Sequence, residues 1–263
     1  MKVVIIGSGN VASQISYNLF RSDNPVYQVY SRSDVGEQLK NNVLEIVRDF
    51  DQIDSNADLY LLCVSDDAIS SVATSLSYLN VSRKAVIAHT SGTKSSELLT
   101  QFSHYGVLYP LQTLRKETLV DFTSVPLLIN GSSKEALSLL RKLADVLSKN
   151  VHQSSDEQRA KYHIPAVMVN NLVNHIYHQA YQYCNVSDLD FKLLLPLLAK
   201  TSERIVNGDI PFNVQTGPAI REDMTTIFAH LATLKELNMN DEIYASITES
   251  IIETYHNQSM KKP

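Results

Sequence analysis

Val3-Val4-Ile5-Ile6-Gly7-Ser8-Gly9-Asn10-Val11-Ala12 is the stretch on which the reading of this chain turns. Val3 to Ile6 is short, β-branched and wholly apolar, the pattern of a strand buried on both faces. Gly7-Ser8-Gly9 then breaks the run, and a helix-like segment follows from Ala12 to Phe20. Strand, glycine turn and helix in that order carry the spacing G-x-G-x-x-G/A. Gly7 permits the tight turn, Gly9 lets a pyrophosphate approach the backbone, and Ala12 lets the helix lie close to the strand. Unpaired N–H groups at the helix start, at the positive end of its dipole, would hold phosphate oxygens. Gly7, Ser8, Gly9, Asn10 and Val11 are therefore the expected dinucleotide cradle.

Working outward, a second strand is expected at Tyr27 to Tyr30, about twenty residues past the turn, as a βαβ unit requires. A carboxylate at the end of that strand would accept hydrogen bonds from a ribose 2′-OH. Ser31, Arg32 and Ser33 stand there instead. Two hydroxyls and a guanidinium suit a 2′-phosphate, which points to NADP (NADPH) as the cofactor. A solvated surface Arg is the competing reading.

Further apolar runs at 58–64, 84–88, 107–109, 125–129 and 150–152 read as strands, with a helix at 134–147. Loops at the carboxyl ends of parallel strands line the ligand crevice. Val64, Ser65 and Asp66 are thus cofactor-side candidates, although Asp66 or Asp67 would equally cap a helix. His89-Thr90-Ser91-Gly92 delivers an imidazole and two hydroxyls at another strand end. His89 is a candidate proton partner and Ser91 a substrate-orienting group. The alternative makes Ser91 or Thr90 a cap and His89 structural.

From 154 onward the period is helical, with helices expected at 156–184, 188–206, 223–237 and 241–256. Pro165 and Pro196 should each kink the helix that holds them. His163, Asn170, Asn171, Asn174 and His178 fall on one helical face. Arg221 suits a substrate carboxylate, or else pairs with Asp223 at a helix start.

The 263 residues carry 44% hydrophobic side chains and a net charge of −5. Two modest domains fit that length, and no basic run suggests nucleic acid. No apolar run is long enough for a membrane span. The chain opens without signal-peptide features, so a cytoplasmic location is expected. Cys63 and Cys184 show no metal or redox spacing and are expected to pack as small apolar groups. No metal site is expected.

With these residues assembled, the chain resembles Rossmann-like proteins whose C-terminal half is a helical domain of unknown function, of the type that ends 6-phosphogluconate dehydrogenase. The resemblance rests on Gly7 to Ala12, Val64 to Ile69, His89 to Gly92 and Pro110-Leu111-Gln112-Thr113. It continues through Lys161-Tyr162-His163 with Asn171, and Thr216 to Asp223 with His230. It implies an NADP-linked oxidoreductase fold, a homodimer joined through the helical domain, and kinship with pyrroline-5-carboxylate reductase, ketopantoate reductase, prephenate dehydrogenase and deazaflavin-linked NADP reductases. Two departures stand out. Tyr109 occupies a position where members often carry His, and Pro165 one where small residues are usual. The Lys and Asn pair that serves β-hydroxyacid dehydrogenases is absent, since Pro165 stands four residues after Lys161; His163 and Asn171 are the matching candidates.

The expectation is an α/β fold: a doubly wound, mainly parallel Rossmann domain (1–153) and an all-α substrate and dimerisation domain (154–263). The expected activity is hydride exchange between NADP(H) and a small polar metabolite, either a carbonyl/alcohol or an imine/amine pair. His89, Ser91, His163, Asn171 and Arg221 are the catalytic candidates. A non-catalytic NADP(H) sensor is the alternative.

Overall fold

The computed structural model describes residues 1–256. Its sheet begins with β1 (Val3–Ile6), followed by α1 (Asn10–Arg21), β2 (Val26–Tyr30), α2 (Glu37–Lys40) and β3 (Val43–Val47). Next come β4 (Leu59–Leu62), α3 (Ile69–Ser77), β5 (Val86–His89), β6 (His104–Pro110), β7 (Leu127–Gly131), α4 (Lys134–Leu147) and β8 (Val151–Gln153). The eight strands lie in the order β3-β2-β1-β4-β5-β6-β7-β8. The first six are parallel; β7 runs antiparallel to β6, and β8 is parallel to β7. The order reverses between β1 and β4, and such switch points carry the ligand crevice.

Alternation along β1 explains why its residues are all apolar. Val3 and Ile5 join the core under α1 and α4, while Val4 and Ile6 join the core under α3, and none is more than 4% exposed. Each such side chain removed from water is worth about 1.5–3 kcal/mol. Helix α4 covers the first face with Ala136, Leu140, Leu143, Ala144 and Leu147, and Ser133 caps it by accepting from the Ala136 N–H.

Strand β3 is the one strand that the apolar pattern missed. It lies at the sheet edge, and Leu44 is 67% exposed, so its sequence has no continuous apolar run. Two polar side chains on α1 are buried for a specific purpose. The Gln14 amide donates to the Arg115 and Thr118 carbonyls (2.5 and 2.7 Å) and accepts from the Val120 N–H, and Asn18 brackets Val120 and Phe122. The loop between β6 and β7 thereby takes its hydrogen bonds from α1.

The chain divides into two compact units, the second starting at Val173. This division falls inside the expected 156–184 helix rather than at residue 153. That helix is α5 (Asp156–Val167), a π turn over Met168–Leu172, and α6 (Val173–Val186). Pro165 has no N–H for the Lys161 carbonyl, and the wider turn follows three residues later, so the helix continues instead of breaking. The extra residue of the π turn also interrupts the 3.6-residue period that a single face for His163, Asn170, Asn171, Asn174 and His178 requires.

The second unit continues with α7 (Leu195–Val206), α8 (Met224–Glu236) and α9 (Glu242–His256). Pro196 does not kink α7. It sits in the first turn, where a missing N–H costs nothing. Asp223 caps α8 by accepting from the Thr226 N–H at 3.1 Å, which favours the helix-start reading of that residue. Cys63 and Cys184 are buried free thiols, as expected of small apolar groups. Among the described residues no helix is long and apolar enough to cross a membrane, and no group of His, Cys, Asp and Glu is arranged for a metal.

Candidate functional site

A cleft of about 430 Å³ opens at the carboxyl ends of β1, β2 and β4. Of the expected cofactor residues, Gly7, Ser8, Gly9, Ser31, Arg32, Ser33, Val64 and Ser65 line it. Asn10, Val11 and Asp66 do not. Asn10 is exposed at the first position of α1, and Val11 packs against the core. Asp66 instead accepts from the Thr93 hydroxyl at 2.9 Å, tying the loop after β4 to the loop after β5. It caps nothing, because the turn it opens has no side-chain cap. The cleft also takes Tyr30, Phe50, Ser71 and Val72 from elements with no recognisable motif.

Gly7 has φ +115°, and a Cβ there would lie 2.3 Å from the Cys63 carbonyl oxygen. Burial pushes the Cys63 thiol up to about 12, so it serves as wall, not nucleophile. Gly9 differs: its φ is −74°, and a Cβ would meet nothing nearer than that oxygen at 4.0 Å. The protein alone gives no reason for glycine at Gly9, whereas an oligophosphate against the backbone does. That vacant approach, with Arg32 on the rim and no carboxylate among the lining residues, fits a phosphorylated dinucleotide.

The Ser8 and Ser31 hydroxyls lie 2.7 Å apart, and Ser31 donates to the Ser33 carbonyl at 2.9 Å. Arg48, one residue past β3, spans the Ser31 and Ser33 carbonyls and the Asp34 carboxylate. The sequence reading did not find it, because its strand was not recognised.

A second cluster gathers at the carboxyl ends of β5 and β6. The Tyr109 hydroxyl and His163 Nδ1 are 3.2 Å apart. Gly92 lies against both: a Cβ there would be 2.8 Å from Tyr109 Cζ and 2.9 Å from His163 Nδ1. Burial raises the Tyr109 pKa, which keeps the phenol protonated. Tyr109 thus places a hydroxyl at this strand end, where it meets an imidazole from α5. Asn170 donates to the Thr113 hydroxyl, while Asn171, the expected residue, is exposed and, among the described residues, accepts only from Asn170 at 3.4 Å.

His163 owes its place to the helix start two turns earlier. Ser155 and Gln158 form a capping box. The Asp156 carboxylate accepts from the Ser95 and Ser96 hydroxyls, the Ser96 N–H, the Asn130 amide and Arg159. Burial raises its pKa, but the Arg159 guanidinium and the two serines outweigh that and hold the carboxyl well below the usual range. Arg159, 1% exposed, also donates to the Lys94 carbonyl, so α5 is fastened to the loop after β5.

His89 is not open to substrate. Its ring is fully buried, Nδ1 accepts from the Ser91 N–H and Nε2 lies 3.2 Å from the Ser95 carbonyl. Burial lowers its pKa to about 4. Ser91 accepts from the Thr93 and Lys94 N–H groups, so it caps the turn. The pair shapes the loop against which Tyr109 and His163 pack. The unfolded chain protonates His89 before the folded one does, so its contribution is complete above about 6.5 and is lost as pH falls toward about 4. At about 1.4 kcal/mol per unit, on the order of 3 kcal/mol goes with it. Urea midpoints should therefore fall between pH 7 and pH 4.5, and by less in His89→Phe; equal falls would show that the ring is not held neutral.

Arg221 lies exposed in the second unit, in the turn before α8. The Asp223 carboxyl is lowered by the Thr226 hydroxyl first, with Arg221 a lesser contributor. That unit also holds a cavity of about 620 Å³, mostly apolar, lined by Ile176, Tyr183, Leu234 and Ile243 and by His230 and Tyr244, whose Nδ1 and hydroxyl are 2.7 Å apart.

Residues 1–113 match the Rossmann-like domain, and residues 125–251 match the domain of unknown function DUF2520. A proposed NADP oxidoreductase from Bacteroides fragilis is 32% identical, with a TM-score of 0.89 over 96% of this chain and 98% of that one. The chain belongs to the Rossmann-like family with a DUF2520 domain. Two solved structures share the fold of this DUF2520 chain at lower identity. An imine reductase from Myxococcus stipitatus in complex with NADP+ is 13% identical, with TM-score 0.66 over 97% of this chain and 94% of that one. A reductive aminase from Aspergillus terreus with NADPH and ethyl-5-oxohexanoate is 14% identical, with TM-score 0.69 over the same shares. No curated protein matches the DUF2520 chain.

Proposed function

We propose that this chain is an NADP(H)-dependent oxidoreductase acting on a carbonyl/alcohol or imine/amine pair of a small metabolite. The observation that carries the reading is the cleft at the end of β2, where Arg32 lines the rim, no carboxylate joins it and a glycine backbone lies open. The name of the Bacteroides relative and the NADP+ and NADPH in the two enzyme complexes support the same coenzyme.

The bound coenzyme supplies or takes hydride. Gly7, Ser8 and Gly9 would seat its pyrophosphate, and Arg32 with Ser31 and Ser33 its 2′-phosphate. Strands β5 and β6 lie two and three strand spacings from β1, about 10–14 Å at ~4.8 Å each, which suits the reach toward the nicotinamide end. There Tyr109 and His163 handle the proton. With His163 protonated on Nδ1, Tyr109 accepts from it and its own O–H is free to donate to a substrate oxygen or nitrogen. As that proton leaves, the Nδ1 proton of the doubly protonated His163 replaces it and leaves a neutral imidazole. The proton role thus passes from His89 to the Tyr109–His163 pair, with Ser91 and Asn171 shaping the surroundings.

The test is NADPH consumption by the purified protein with ketones, keto acids and cyclic imines. Turnover is expected with at least one class, and Arg32→Ala should raise the NADPH Kd by about tenfold or more while moving NADH less than twofold. Equal losses for both coenzymes would overturn the phosphate assignment, and binding without any turnover would favour a nucleotide sensor.

The same reading includes a homodimer. Leu193, Leu197, Val206 and Phe228 in the second unit are between 62% and 83% exposed, apolar surface that a second copy would cover. Light scattering at micromolar concentration should give twice the chain mass; a monomer would remove this part of the proposal.

A further inference from the structure

Arg48 follows β3 directly, and β3 pairs with β2 so that Val47 lies opposite Tyr30 and the Ser31 N–H donates to the Val47 carbonyl at 3.1 Å. Its guanidinium therefore sits beside the turn formed by Ser31, Arg32, Ser33 and Asp34. One nitrogen donates to the Ser31 carbonyl (3.4 Å) and to the Ser33 carbonyl; the other reaches the Asp34 carboxylate at 2.7 Å. Arg32, between those anchored residues, is exposed on the cleft and has no hydrogen bond or ion pair among the described residues.

We infer that Arg48 is a positioning residue for the preference that Arg32 gives to a 2′-phosphorylated coenzyme, by holding the 31–34 turn in its receiving shape and cancelling the charge of Asp34. This rests on the NADP(H) reading of the cleft. Two physical effects combine. Without Arg48 the turn loses three contacts, and ordering Ser31, Arg32 and Ser33 around a phosphate then costs conformational entropy. Asp34 would also be released as an uncompensated anion two residues from Arg32, where it repels a phosphate and competes for the Arg32 guanidinium. Both effects depend on the extra phosphate. The Ser8–Ser31 contact joins this turn to the glycine cradle, so the two phosphate-binding segments are one connected structure. Arg48 contributes little to global stability, because its partner Asp34 is fully exposed and its own side chain is 42% exposed.

The experiment titrates full-length protein with NADPH and with NADH by calorimetry, using wild type, Arg48→Ala, Arg48→Lys, Arg32→Ala and the double variant Arg48→Ala/Asp34→Asn. Arg48→Ala should weaken NADPH by about tenfold and NADH by less than twofold, with the melting temperature kept. Arg48→Lys, which keeps the charge but not the planar fork, should fall between. Removing the Asp34 charge in the Arg48→Ala background should recover about threefold for NADPH alone, and the whole difference should shrink as salt rises. Equal losses for the two coenzymes, or no loss, would overturn the role of Arg48. If wild type prefers NADPH and Arg32→Ala abolishes that preference while Arg48→Ala does not, only this inference fails. If wild type shows no preference and Arg32→Ala changes neither affinity, the NADP(H) reading itself is wrong, and this inference falls with it.

Discussion

Gly7→Ala and Gly9→Ala are expected to differ sharply although the residues are two apart in one turn. At Gly7 the added methyl would lie 2.3 Å from the Cys63 carbonyl oxygen and 2.8 Å from its carbon, at a φ of +115°. Backbone cannot yield as a side-chain tip does, so β1 and β4 must separate where their carboxyl ends meet. Overpacking of this kind costs about 1–3 kcal/mol, and the melting temperature should fall by several degrees, about 2–4 °C for each kcal/mol. NADPH binding should be lost with it. At Gly9 the methyl meets nothing within the protein closer than 4.0 Å, so stability should stay within about 0.5 kcal/mol. The clash falls instead on the complex, where about 1–3 kcal/mol is about 5- to 150-fold in Kd. Melting curves and calorimetry on the two variants decide the matter. A Gly9→Ala protein that melts and binds as wild type would mean that no pyrophosphate rests there.

Tyr109→Phe and His163→Gln carry the second large expectation. The two groups lie within hydrogen-bond distance at 3.2 Å, and Gly92 lies against both, so their geometry is fixed by backbone on one side. If Tyr109 donates to substrate and His163 refills it, each substitution should reduce kcat by about 10²- to 10⁴-fold. The double variant should be little worse than the weaker single one, because groups that act in series are not additive. Nucleotide affinity should hold within about twofold, since neither residue lines the cleft. Burial raises the Tyr109 pKa, so loss of the phenol proton should reduce the wild-type rate only at alkaline pH. Wild-type rates in both variants would move the proton role elsewhere.

Gly92→Ala gives physical content to the sequence reading of 89–92. That loop carries an imidazole and two hydroxyls in its sequence, yet its contribution is mostly shape. His89 and Ser91 spend their polar atoms on the Ser95 carbonyl and on backbone N–H groups, and the glycine yields space to two residues from other elements. Spacing along one strand says which groups arrive at the sheet's edge. It does not say which are consumed by their own loop.

The sequence by itself determined the Rossmann sheet, the glycine cradle and the basic turn after β2. Each of these is local: a strand, its turn and its helix lie within nineteen consecutive residues, Val3 to Arg21, and the polar pattern at a strand end can be read from the strand. Only the tertiary structure decided what depends on neighbours remote in sequence. Arg48 reaches the 31–34 turn because two strands pair side by side, Tyr109 meets His163 across fifty-four residues, and Asp156 fastens α5 by bonds to the segment after β5 and to Asn130 of β7. Those contacts come from chain segments whose spacing in sequence obeys no period, so no pattern in the residues announces them.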